Sequence, residues 1–372
     1  MTRRLIKIAV LLVALAFGGF LVAASGIIPI KASSGHWAIT SWFLNFTKER
    51  SIATHSLGLE APSLDEPSLV VKGAGHYETG CSPCHGSPKL RSPWVAQQMT
   101  PNPPYLPPEI SEWEPEELFY IVKHGVKFTG MPAWPSQHRD DEVWAMVAFL
   151  RALPELDAEQ YRRLVNDEAA ATTAVGPIQG LQIPEKTQRA VIESCSRCHS
   201  TDGLGRSMGA FPRLAGQNQT YLHASLQAYA RGERHSGIME LVAARLSPEE
   251  MSELARYYES LKSPSPSLRE ADSAVERGKE IALHGIPNQR VPACASCHGP
   301  GAIPRNPAYP LLAGQYADYL VLQLELFKNE HRGGTAYSHL MRPVAARLTA
   351  EQMRDVALYY ASLDPASALP AR

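Results

Sequence analysis

Pro292-Ala293-Cys294-Ala295-Ser296-Cys297-His298-Gly299 is the stretch from which the rest of the chain can be read. Its core, two cysteines separated by two residues and followed at once by histidine, occurs twice more. Cys81-Ser82-Pro83-Cys84-His85 and Cys195-Ser196-Arg197-Cys198-His199 complete the set, and together the three use all six cysteines. Each motif is followed by a methionine at a similar distance: 46 residues from His85 to Met131, 40 from His199 to Met239 and 43 from His298 to Met341. Internal repeats of this length mean tandem structural units.

The second and third units also match between these points. Phe211-Pro212-Arg213-Leu214-Ala215-Gly216-Gln217 parallels Tyr309-Pro310-Leu311-Leu312-Ala313-Gly314-Gln315, and Tyr221-Leu222 parallels Tyr319-Leu320. After each of these two methionines comes an Ala-Arg-Leu run, ending at Leu246 and Leu348, and then a helix start. Ser247 with Glu250 and Thr349 with Gln352 read as capping boxes, with Pro248 at a first helical position. Met251, Leu254, Tyr258 and Leu261 form one apolar stripe; Met353, Val356, Tyr360 and Leu363 repeat it. Val143, Met146, Val147 and Leu150 have the same part in the first unit. The expected fold is all-α: an N-terminal helix over residues 1–59 with its juxtamembrane segment, then units at 60–154, 182–262 and 272–364. Residues 155–181 and 263–271, the latter opening Ser-Pro-Ser-Pro-Ser, read as linkers.

The C-x-x-C-H spacing points to covalent haem attachment. Two cysteines three positions apart lie on one side of a helical turn, where their sulfurs can form thioethers to the two vinyl groups of one porphyrin. The adjoining histidine then presents its imidazole to the iron. A redox disulfide leaves the histidine idle. A four-sulfur zinc site needs cysteine pairs in twos, and three pairs leave a remainder. The attachment residues are therefore Cys81, Cys84, Cys195, Cys198, Cys294 and Cys297, for three covalently bound haem c groups. A lone methionine is usually core filler, but Met131 lies in Thr129-Gly130-Met131-Pro132, a turn rather than a stripe. Met239 and Met341 hold the equivalent place in their repeats. The iron ligands expected are His85 with Met131, His199 with Met239 and His298 with Met341. Met99, Met208, His124 and His339 are the rivals by position.

These residues resemble the class I cytochromes c. The second and third units are similar to dihaem cytochromes of the c-four type, on Pro-Ala-Cys-Ala-Ser-Cys-His-Gly, the two Leu-Ala-Gly-Gln runs and the Ala-Arg-Leu before each capped helix. The first resembles the cytochrome c units of alcohol dehydrogenases and haem–copper oxidases, on His124-Gly125 and Thr129-Gly130-Met131-Pro132-Ala133-Trp134. The resemblance implies proximal histidines, distal methionines and a glycine in the first helix where the last helix crosses. Gly73 and Gly278 fit that place, and the second unit has no clear equivalent before Cys195.

Arg3, Arg4 and Lys7 precede an apolar run from Ile8 to Ile30, long enough to span a bilayer. The basic residues predict a cytoplasmic N-terminus. A cleaved signal peptide is the rival reading, at Val22-Ala23-Ala24-Ser25. The expected location is the cytoplasmic membrane, single-pass, with the haem units in the periplasm. Trp37, Trp42, Phe43 and Phe46 read either as an interfacial aromatic belt or as a helix packed on the first unit. With 36 Lys+Arg against 37 Asp+Glu, nothing in the charge suggests nucleic acid as a partner. Asp140 and Asp141 read as dipole partners at a helix start, while Arg245 and Arg347 face either haem propionates or solvent. An iron closed on both faces exchanges electrons more readily than it binds substrate, so no catalysis of its own is expected. The function expected is electron transfer between a quinol-oxidising complex or dehydrogenase and a terminal oxidase or soluble carrier. The alternatives are the cytochrome subunit of an alcohol or sugar dehydrogenase complex, or a peroxidase with one open haem.

Overall fold

The computed structural model describes residues 2–166, 194–206, 209–264, 273–299 and 306–365. The chain is helical, and among the described residues the one β-bridge joins Ile286 to Val291. Helix α1, Thr2–Ala24, is exposed from Arg3 onward and apolar after Lys7. Helix α2, Ala38–His55, follows. Its Leu44, Lys48 and Ile52 turn toward the first unit, where Lys48 lies over the Trp113 ring and His55 stacks on Tyr120 at 5.6 Å. Trp42, Phe43 and Phe46 point the other way and are 50–61% exposed. The helix therefore packs on the first unit and presents an aromatic stripe outward at the same time.

The first unit contains α3 (Pro67–Gly80), the motif turn α4 (Ser82–His85), α5 (Leu106–Glu109), α6 (Pro115–His124) and α7 (Asp140–Ala152). Proline at the first turn of α3, α5 and α6 starts each helix without losing a needed N–H. Val143, Met146, Val147, Phe149 and Leu150 of α7 are buried, each worth roughly 1.5–3 kcal/mol over exposure. The stretch read as linker begins with another helix, α8 (Ala158–Val165), capped by Asp157 accepting from the N–H of Glu159 and Gln160. Its Tyr161 enters the first core beside Tyr77 and Phe149, with ring centroids 6.3 and 6.2 Å apart. A short amphipathic run of eight residues gave too few turns for its period to show in the sequence. Residues 167–181 and 265–271 of the two linkers lie outside the described residues.

The second unit holds the motif turn α9 (Ser196–His199), α10 (Gln219–Ala230), α11 (Met239–Ala243) and α12 (Pro248–Ser260). The third holds α13 (Ser273–His284), α14 (Ala295–His298), α15 (Ala317–Lys328), α16 (Met341–Ala345) and α17 (Ala350–Ser362). Both predicted capping boxes form: Ser247 accepts from the N–H of Glu250 and Thr349 from that of Gln352, with each partner side chain returning to the cap N–H. Met251, Leu254 and Tyr258 of α12 and Met353, Val356 and Tyr360 of α17 are buried as expected, whereas Leu261 and Leu363, just past the helix ends, are half-buried.

In the first and third units the first and last helices cross at a glycine. A Cβ on Gly73 would run into the Ala145 carbonyl, and one on Gly278 into that of Asp355. The corresponding segment of the second unit lies outside the described residues. Overpacking such a contact costs typically about 1–3 kcal/mol. Gly73→Ala and Gly278→Ala should each lower the unfolding free energy by that order, read by denaturant titration, while Gly80→Ala, at an ordinary backbone φ with its nearest neighbour 3.9 Å away, should cost less than either.

Candidate functional site

Three motif turns share one local geometry. In each, the histidine Nδ1 lies within hydrogen-bond distance of a proline carbonyl: His85 to Pro104 at 2.9 Å, His199 to Pro212 at 3.1 Å and His298 to Pro310 at 3.0 Å. An Nδ1–H given to a carbonyl leaves Nε2 bare and fixes the ring, the state required of a metal-ligating imidazole. Burial lowers the proton affinity of His85 and His199, which also favours the neutral ring. The residue after each histidine (Gly86, Ser200, Gly299) has a φ of 62–72°, which turns the chain sharply out of the helical turn. A buried tyrosine then ties that corner down. Tyr77 donates to the Gly86 carbonyl at 2.7 Å, Tyr257 to Thr201 at 2.6 Å and Tyr360 to Gly299 at 2.7 Å.

All six cysteines are free of disulfides. Burial pushes the Cys81 and Cys198 thiols up to about 12 and those of Cys195 and Cys294 to about 11. That is opposite to the lowered thiol of a disulfide-exchange site. A continuous cavity of 1020 Å³ is lined by Cys195, Cys198, His199 and Met239 of the second unit and by Cys294, Cys297, His298 and Met341 of the third. Met239 and Met341 each open a short helix, α11 and α16, and are half-buried. Met131 is half-buried on its loop. Thr129 Oγ1 accepts from the Met131 N–H at 3.1 Å, and the Met131 carbonyl accepts from Val126 N–H at 3.2 Å. Gly125 permits that loop, since a Cβ there would strike the Met131–Pro132 backbone. Of the rivals, Met99 lies with its methyl against Gly130 beside the Met131 loop. His124 packs on Tyr120 at 4.7 Å, His339 is exposed, and Met208 lies outside the described residues.

The cavity lining also supplies positive charge. Arg197 Nε and Arg213 Nε and Nη1 are buried without a hydrogen-bond acceptor. Arg234 and Arg332 converge on the Tyr221 hydroxyl at 3.3 and 2.8 Å. Burial raises the Tyr221 hydroxyl, but these two cations outweigh it and bring it to about 8. Of the arginines singled out in the sequence, Arg245 lines the cavity, while Arg347 is exposed and donates to the Arg290 carbonyl at 3.1 Å. Arg213 and Arg197 were not read as site residues, because nothing in the sequence separates a buried arginine from a solvated one.

The three units meet. Gln217 and Gln315, equivalent in the repeat, exchange matched bonds. Gln217 donates to the Leu311 carbonyl at 2.9 Å and accepts from the Leu311 N–H at 2.8 Å; Gln315 does the same with Arg213, both at 3.0 Å. The second and third units are thus related by a local two-fold. Helix α3 of the first unit lies on the second motif, where a Cβ on Gly75 would sit 3.2 Å from Cys198 Sγ. Ile238 is buried in the first unit's core, with Cys81 packed at its edge. His138, His235 and His331, one from each unit, gather with ring centroids 5.7 and 4.8 Å apart.

Residues 185–262 and 275–364 each match the family described as Cytochrome c, and residues 69–150 match Cytochrome C oxidase, cbb3-type, subunit III. A thiosulfate dehydrogenase electron acceptor of Thiomonas intermedia is 37% identical over 170 residues, spanning 45% of this chain and 78% of the relative. The chain belongs to the class I c-type cytochromes. A cytochrome c4 of Azotobacter vinelandii is 30% identical over 183 residues, 45% of this chain and 84% of that one. The solved cytochrome c4 of Acidithiobacillus ferrooxidans shares 35% identity over 45% of this chain and 98% of that chain, with a TM-score of 0.41. Covalently bound haem c is the cofactor of such motifs, and the donor set fits it. Cysteine pairs, neutral histidines, an apolar cavity and buried guanidinium nitrogens lacking acceptors match a flat apolar ring with two carboxylates.

Near these sites, His76 of α3 is buried between Trp134 and Phe211, its Nδ1 without a partner. Burial first, then the charges of Lys72 and Arg139, lower it from 6.5 to about 3. The unfolded chain takes up this proton below pH 6.5, whereas the folded one stays neutral down to about 3. Stability from this group is therefore complete above pH 6.5 and is lost progressively as pH falls. The urea midpoint should drop between pH 7 and pH 5, and His76→Leu should flatten that drop.

Proposed function

We propose that this cytochrome holds three haems, each with one histidine and one methionine at the iron, and passes electrons along them. The repeated histidine-to-proline hydrogen bond carries this reading, because it prepares three separate imidazoles for the same task. When bound, the group supplies a one-electron couple, and methionine opposite histidine raises its potential. The chain's own residues do the rest. His85, His199 and His298 would present Nε2 to the iron, and Met131, Met239 and Met341 would supply its thioether ligands. The six cysteines would fix ring position, and Arg197 and Arg213 would donate to its carboxylates.

Two terminal faces suit two partners. The second and third units resemble electron acceptors of thiosulfate dehydrogenase, so we assign entry to that end, from a periplasmic oxidoreductase. The first unit resembles an oxidase subunit, so we assign exit there, to a terminal oxidase or soluble carrier. Helix α1 anchors the chain in the cytoplasmic membrane with the haem units in the periplasm. The outward Trp42, Phe43 and Phe46 of α2 lie at the level of the lipid headgroups, where such side chains are favoured.

A spectroelectrochemical titration tests the ligand sets. The ferric sulfur-to-iron band should report three methionine-ligated haems, and Met131→Ala, Met239→Ala and Met341→Ala should each remove about a third of it and lower one potential step. A high-spin or bis-histidine haem in the unaltered protein would overturn the assignment at that unit.

A further inference from the structure

Glu142 belongs to helix α7 of the first unit, yet half its hydrogen bonds serve the second. It is 2% exposed. Its carboxylate accepts from Ser236 Oγ at 2.7 Å, from the Gly237 N–H at 2.7 Å and from Trp134 Nε1 at 3.1 Å. Arg139 adds an ion pair at 3.0 Å and also donates to the His235 carbonyl at 2.8 Å. A buried carboxylate is costly unless donors compensate it. Here four donors do, and two of them lie on the second unit.

The gripped residues run directly into Met239. His235, Ser236 and Gly237 are each bonded to the first unit, and Ile238 is buried in its core, 6% exposed. Gly237 lies flat on the Trp134 indole, where a Cβ has no room. Ser236 Oγ completes the connection by accepting the Met239 N–H at 3.1 Å. Carboxylate, serine hydroxyl and Met239 backbone form one chain of hydrogen bonds across the boundary.

The third unit provides the contrast. Ser338 holds the place of Ser236, but its hydroxyl donates back to the Thr335 carbonyl at 2.8 Å. Leu340, in the place of Ile238, is 45% exposed. No residue of another unit bonds to the Ser338 side chain among the described residues.

We infer that Glu142, together with Arg139, is a positioning residue that holds the Met239 ligand loop from across the domain boundary, so that docking of the first unit sets the axial bond of the second haem. This rests on Met239 being that ligand. A loop released from the clamp brings its thioether to the iron less firmly, and a weaker sulfur bond lowers the potential. The third haem lacks this clamp and is unaffected, while the first is tied to the same carboxylate only through Trp134, three residues past Met131, so Ser236→Ala is the variant that acts on the second haem alone.

The test uses the full-length holoprotein and four variants, read by the ferric sulfur-to-iron band and the potential steps. Glu142→Gln turns an amide N–H toward one of its donors, and Ser236→Ala removes the link to Met239 while leaving the Arg139 and Gly237 contacts that dock the units. Both should weaken the band by up to about a third and lower the step that Met239→Ala also lowers. Ser338→Ala should change nothing. If Met239→Ala removes its share of the band while Glu142→Gln and Ser236→Ala leave every step in place, the clamp is refuted and the ligand assignment stands. If Met239→Ala leaves the band intact, the ligand assignment itself fails and the inference with it.

Discussion

A histidine that must face a metal with one nitrogen needs its other nitrogen occupied, and the chain meets that constraint three times with a proline carbonyl. Proline suits the task because it has no N–H of its own to pair and its ring restricts the chain at that point. Around that bond the rest of each unit is arranged. The two cysteines set the turn, the positive-φ residue after the histidine leads the chain away, and a buried tyrosine O–H closes the corner. Two of these tyrosines, Tyr257 and Tyr360, lie on the last helix of their units, and Tyr77 lies on the first helix of its own. The same mechanical need is met from opposite sides of the fold.

The assembly of units rests on polar groups removed from water. Between the second and third, the glutamine side chains act as extra backbone, each supplying a donor and an acceptor to the main chain of the other unit. Because both come from the Leu-Ala-Gly-Gln run, duplication of one sequence creates both halves of a self-complementary contact. Between the first and second, symmetry is absent, and a charged cluster of the first unit makes the contact: Glu142 and Arg139, paired with each other, bond to Ser236, Gly237 and His235, and Lys72 with Asp141 at 2.9 Å lies beside them within the first unit. Burial pushes the Asp141 carboxyl up, but Lys72 and Arg139 outweigh it and hold it well below its usual range. Asp140 and Asp141, read as helix-dipole partners, thus also serve as ion-pair partners, with Lys123 on Asp140 at 2.5 Å.

The haem turns, the capped helices and the crossing glycines Gly73 and Gly278 were legible because each depends on residues a few positions apart, or on a pattern repeated in register. Helix α8 was missed because eight residues hold barely two turns. The packed-helix reading of Trp37 to Phe46 holds for the inner face of α2, while Trp42, Phe43 and Phe46 stay exposed on the other. A helix with apolar residues on two faces can pack on a domain and expose aromatics together, and periodicity read along one stripe does not separate those faces.

The sequence by itself determined the attachment chemistry, the repeat and the helix ends, since covalent spacing and local hydrogen bonds act over one or two turns. Tertiary structure alone decided which arginines lose their water, that Gln217 meets Leu311, and that Glu142 reaches Ser236. Those contacts join residues some 94 positions apart, and no local propensity encodes them. They arise only when separate helices have been packed closely enough for a side chain of one unit to satisfy the backbone of the next.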